Sequence, residues 1–135
     1  SEGLLRVPAA LPANVRAEKV LKKAGKAGLE LPDSEQTAEQ IRRLLETLTQ
    51  TTQGVGESNQ TEGNSEEAEK QFGELMLQMI HLSGLLRINA ENSLTKATDA
   101  FINRFVSAEQ LAMEEGWQTD EVSAADLNAW WKRIV

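Results

Sequence analysis

The stretch that decides the fold is Glu66–Phe105, EEAEKQFGELMLQMIHLSGLLRINAENSLTKATDAFINRF. Phe72, Leu75, Met76, Met79, Leu82 and Leu86 recur at three- and four-residue steps, which is one apolar face of an α-helix. Arg87-Ile88-Asn89 reads as a short turn, and Leu94, Ala97, Phe101, Phe105 and Leu111 continue the pattern on a following helix. Beside the first apolar face runs a polar one: Glu67, Gln71, Glu74, Gln78 and His81, again at steps of four and three. Helical bundles build metal and ligand sites from such stripes. This one carries two carboxylates among neutral neighbours, which is thin for a metal centre.

Working outward, the same logic predicts an all-α chain of four main helices plus a short C-terminal one. Residues 1–13, with two of the three prolines, read as an extended lead-in. A helix is expected from about Asn14 to Lys26, with Val15, Val20, Leu21 and Ala24 apolar, Arg16, Lys19, Lys22, Lys23 and Lys26 basic, and the Lys22, Lys23 and Lys26 group read as a solvated face. Ser34 or Thr37 can cap the next helix, which runs to about Gln50 with Ile41, Leu44, Leu45 and Leu48 as core positions. Residues 51–64, TTQGVGESNQTEGN, read as a flexible loop. Ser123 and Asp126 resemble a capping box opening a last helix with Trp130 and Trp131. There is no strand pattern and no repeat, so residues 1–135 read as a single domain.

Composition bounds the function. The 135 residues are 40% hydrophobic but only 4% aromatic, which calls for an aliphatic core. A net charge of -7 repels nucleic-acid phosphates and anionic lipid, so neither is an expected partner. A phosphorylated ligand would need a metal ion or a local basic pocket to offset that field. With no cysteine, thiol nucleophiles and zinc–thiolate sites are excluded. The absence of an apolar run of about 20 residues, with no signal-peptide pattern at the N-terminus, makes a cytoplasmic location the expectation.

Taken in order, the segments resemble one family. LPANVRAEKVLKKAGKAGLELPD (residues 11–33), Phe72-Gly73-Glu74-Leu75, Phe101 with Arg104-Phe105, and the tail from Ser123 and Asp126 to Trp131 are similar to the corresponding runs of the MazG-like nucleoside triphosphate pyrophosphohydrolases, all-α NTP pyrophosphatases. The resemblance implies a MazG-like helical bundle and hydrolysis of an NTP to NMP and pyrophosphate with Mg²⁺. It also implies a homodimer or larger homo-oligomer.

The chain departs from that family at the metal positions. The family's second helix supplies Glu-Glu-x-x-Glu and its third Glu-x-x-Asp, because i, i+3 spacing sets carboxylates on one face for a hard cation. Here the second helix reads Arg43-Leu44-Leu45-Glu46-Thr47, with Leu44 and Thr47 at expected ligand positions. Gln71 stands for the Glu and Glu74 for the Asp. Thr98 and Ala100 occupy positions where the family has Asn and Lys. The expectation is a degenerate, inactive or impaired pyrophosphohydrolase that retains nucleotide binding or an assembly role. The alternative is an active enzyme with a relocated Mg²⁺ site built from Glu67, Glu74 and Glu46 or Asp99.

No residue is assigned a catalytic role. Glu74 is the leading metal candidate, with Glu67 and Glu46 behind it; Glu67 is more simply a first-turn residue and Glu46 a solvated one. Arg104, His81 and Trp131 are the candidates for substrate contact. The bland readings are a surface salt bridge for Arg104, a bundle-edge histidine for His81 and ordinary aromatic packing for Trp131.

Overall fold

The computed structural model describes residues 2–52, 62–115 and 123–134. Six helices appear among them: α1 (Glu2–Leu5), α2 (Ala13–Lys26), α3 (Ser34–Thr51), α4 (Glu62–Leu85), α5 (Ala90–Glu115) and α6 (Ala124–Arg133). The chain is all-α, and no strand occurs among the described residues. The four main helices and the short last one fall where the hydrophobic period put them. They form two compact units, Ser1–Ala90 and Glu91–Val135.

In the first unit, α4 packs on both α3 and α2, and α1 lies against α2. The lead-in is not wholly extended: Glu2–Leu5 form one helical turn, closed by the Val7 amide donating to the Leu4 carbonyl at 3.1 Å. Val7 then tucks in with 4% exposure. The expected 51–64 loop is shorter at both ends, because Thr51 still belongs to α3 and α4 already starts at Glu62. Residues 53–61 lie outside the described residues.

Asp33, not Ser34 or Thr37, caps α3. Its Oδ1 accepts from the Gln36 amide at 2.8 Å, and Gln36 Oε1 accepts from the Asp33 amide at 3.0 Å, a reciprocal capping box. Thr37 is instead fully buried and donates its hydroxyl to the Asp33 carbonyl at 2.6 Å.

Two helices end in the same six-residue signature. At α2, Gly28 donates to Gly25 O and Leu29 to Ala24 O; at α4, Arg87 donates to Gly84 O and Ile88 to Ser83 O. Both are Schellman motifs, which place the residue after the C-cap in the left-handed region. Gly28 does so freely at φ 106°, whereas Arg87 does so with a full side chain at φ 57°.

The burial pattern corrects the expected core. On α4 the less exposed positions include Ala68, Gln71, Leu75, Gln78 and Leu82, with Ile80, His81 and Ser83 beside them near its end. Phe72, Met76, Met79 and Leu86, expected as core, stand 50–54% exposed in the isolated chain. Leu45 on α3 is also exposed, while Ile41, Leu44 and Leu48 are half-buried. The inward face of α4 thus mixes the two stripes, Leu75 and Leu82 of the apolar one beside Gln71 and Gln78 of the polar one, while Phe72, Met76 and Met79 face out.

The second unit holds α5 and α6. Ala108 and Ala112 of α5 are buried, whereas Leu94 and Phe101 are exposed. The Asp126 amide donates to Ser123 Oγ at 3.1 Å, so Ser123 caps α6 as its spacing implied. Arg133 Nη1 reaches Glu115 Oε1 at 3.7 Å between the two helices.

Candidate functional site

The stripe on α4 arranges its side chains by helical register alone. Gln71 is 7% exposed, and its Nε2 donates to Glu67 Oε1 at 3.2 Å, one turn earlier. A carboxylate can only accept, so this bond fixes the amide orientation and leaves Gln71 Oε1 pointing the other way. That oxygen is buried without a partner among the described residues, as is Gln78 Oε1 two turns on. Glu74 is exposed. His81, half-buried at the end of the stripe, lies 2.8 Å from the Pro32 carbonyl through Nε2. A carbonyl cannot donate, so Nε2 carries the proton there.

On α3, Leu44 is half-buried while Glu46 and Thr47 are exposed. Glu46 borders a shallow depression with Arg42, Leu45, Thr49 and Gln50. Glu39, one turn from Arg43, binds both Arg42 (3.2 Å) and Arg43 (3.3 Å). Among the described residues, no three His, Cys, Asp or Glu side chains gather as a metal cluster. Of the four carboxylates proposed for a relocated site, Glu67, Glu74 and Glu46 lie in the first unit and Asp99 in the second.

In the second unit, two substrate-contact candidates meet. The Arg104 guanidinium lies 3.6 Å from the centroid of the Trp131 ring, and its Nη2 donates to the Trp131 carbonyl at 2.9 Å. Phe101 meets the same indole at 5.0 Å in a tilted arrangement. Cation–π attraction and the backbone hydrogen bond together hold the indole in place. Arg104 Nε and Trp130 Nε1 are buried without hydrogen-bond partners among the described residues. Arg133 covers the Trp130 ring at 4.8 Å. Among the described residues, Arg104 makes a stack and no salt bridge.

Two polar groups escaped the sequence reading. Gln78 was a member of the stripe but was not singled out, although its buried orphan oxygen is one of the most exacting demands in the first unit. Arg87 was read only as part of a turn. A left-handed arginine leaves no sequence signal, because the Schellman position normally announces itself with glycine.

The comparisons agree with this fold. No family model matches the chain. It is 27% identical over 123 residues to the nucleoside triphosphate pyrophosphohydrolase/pyrophosphatase MazG of Thermotoga maritima, covering 91% of this chain and 44% of that protein. It is 22% identical over 128 residues to the nucleoside triphosphate pyrophosphohydrolase of Escherichia coli K12, covering 95% of this chain and 46% of that one. An uncharacterized Bacillus subtilis protein, YabN, is 30% identical over 61 residues, covering 45% of this chain and 12% of its own length. The chain spans a little under half the length of the first two. The chain is all-α, and its similarity to the first two of these proteins spans more than nine-tenths of it. The resemblance read from the sequence holds: the chain is related over nearly all its length to MazG-like nucleoside triphosphate pyrophosphohydrolases.

Proposed function

We propose that residues 1–135 form one MazG-like domain whose metal site has degenerated, leaving nucleotide binding or an assembly role in place of efficient NTP hydrolysis. One observation carries the reading: Gln71, at an expected carboxylate position, is buried and bound through its amide to Glu67. Mg²⁺ takes hard oxygens in an octahedron at about 2.0–2.1 Å. Gln71 offers a neutral oxygen, Leu44 offers none, and Thr47 a hydroxyl. Glu67 and Glu74 stand two turns apart, about 10.5 Å along the axis, so they do not share one ion without large distortion. The residues present do not fit a magnesium centre.

A retained nucleotide would be contacted in the second unit by Trp131, held by Arg104; His81, in the first unit, is the alternative contact. Assembly is supported by the outward apolar stripe of Phe72, Met76 and Met79, which a second copy of the chain would cover. A homodimer or higher homo-oligomer follows.

The test is pyrophosphate release from each NTP and dNTP with Mg²⁺ or Mn²⁺. Turnover is expected to be absent or far below that of the Thermotoga maritima relative, with nucleotides raising the melting temperature without being consumed. The combined variant Leu44→Glu, Thr47→Glu, Gln71→Glu should gain Mg²⁺ affinity by calorimetry. Robust wild-type turnover that vanishes in Glu74→Ala would reverse the conclusion in favour of a relocated site.

A further inference from the structure

A cleft of about 610 Å³ lies in the first unit where α2 runs beside the C-terminal end of α4. Its size falls within the range of about 300–1,000 Å³ typical of small-molecule sites. Leu21, Leu31, Ile80 and Ile88 give it apolar walls, and Lys22 and Arg87 bring two positive charges to it. Glu18 supplies one opposing charge, leaving the cleft cationic in a chain of net charge -7. Lys22 makes no ion pair among the described residues. A local basic pocket of this kind is what an acidic protein needs to hold a small anion.

The backbone of Arg87 is the second, independent observation. The end of α4 calls for a left-handed residue, and glycine would supply it with no Cβ clash, as Gly28 does at the end of α2. The arginine holds the same geometry at φ 57° against its own steric preference. Strain of this sort persists where the side chain has work that the strain-free residue cannot do. Here the arginine is one of the residues that line the cleft.

We propose that this cleft binds a small organic oxyanion with a compact apolar body, a carboxylate or phosphate monoester, its charge held between Arg87 and Lys22 and its body against the aliphatic walls. The cleft lies wholly within the first unit, and the proposal concerns small oxyanions rather than nucleoside triphosphates. His81 borders it, and its bond to the Pro32 carbonyl fixes the wall on that side.

The test titrates the full chain with phenyl phosphate and with benzoate, using phenol and inorganic phosphate as controls that lack the charge or the body. Binding is read by calorimetry and by NMR shifts of the Ile80 and Ile88 methyls. At least one oxyanion probe should bind about tenfold more tightly than either control, and the stronger of the two identifies the head group. Arg87→Gly should weaken that binding by about tenfold, the usual loss for one charge-assisted contact, and Lys22→Gln should weaken it several-fold. Because glycine relieves the backbone at position 87, the variant's melting temperature should not fall, so lost binding cannot be put down to unfolding. The proposal is overturned if neither oxyanion binds, if phenol binds equally well, if Arg87→Gly binds as the parent does, or if the shifts fall outside the cleft. Stoichiometric displacement of the probe by ATP would also overturn it as a separate site.

Discussion

At the residue scale, the chain's local economies can be tested one at a time. The capping box at Asp33 satisfies two amides that the start of α3 would otherwise leave bare. Asp33→Ala should cost about 1 kcal/mol, seen as a lower urea midpoint with unchanged slope. Arg87→Gly should move the other way, stabilising by about 0.5–1 kcal/mol on the same assay. The sequence placed the stripe from Glu67 to His81 on one helix and Ser123 at the start of the last one, and both placements hold. It did not reveal that Arg104 stacks on Trp131, since residues 27 positions apart meet only once two helices are placed. Nor did it reveal that the Gln71 amide turns back onto Glu67, because two polar residues four apart are as compatible with two solvated side chains as with one bond.

At the element scale, the helices were legible and their environments were not. Period and punctuation gave α2, α3, α5 and α6 to within a few residues, since Pro, Gly and cap chemistry act locally. The expected core face of α4 holds at Leu75 and Leu82 and fails at Phe72, Met76 and Met79, which stand exposed in the isolated chain. An amphipathic pattern says which face is apolar; it does not say whether the cover comes from the same molecule. Gly73 lies mid-helix in α4, and a Cβ built there meets nothing within 4 Å. Gly73→Ala should therefore stabilise the helix by roughly 0.5–1 kcal/mol in a monomeric chain. A loss of stability, measured by thermal unfolding at several protein concentrations, would instead reveal another chain pressed against that glycine.

At the scale of the whole molecule, the burial of large aliphatic side chains is sparse. Val7, Ala108 and Ala112 are the buried hydrophobic residues among those described, while Phe72, Met76, Met79, Leu94 and Phe101 are each at least half exposed. A 14.9 kDa chain with so much apolar helix surface should not remain alone. Sedimentation equilibrium at micromolar concentrations should give a mass of twice 14.9 kDa or more. Met76→Glu with Met79→Glu should shift it toward the monomer and lower the melting temperature. A well-folded wild-type monomer under the same conditions would remove the case for assembly.

The bond from His81 to Pro32 has an asymmetric consequence for divergence. Its acceptor is main chain, which every amino acid carries, whereas its donor is one particular imidazole. Drift at position 32 leaves the latch intact wherever the backbone path is kept, while drift at position 81 opens it at a stroke. Two sites joined by a single hydrogen bond are thus exposed to very unequal selection, with the tolerance on the proline's side.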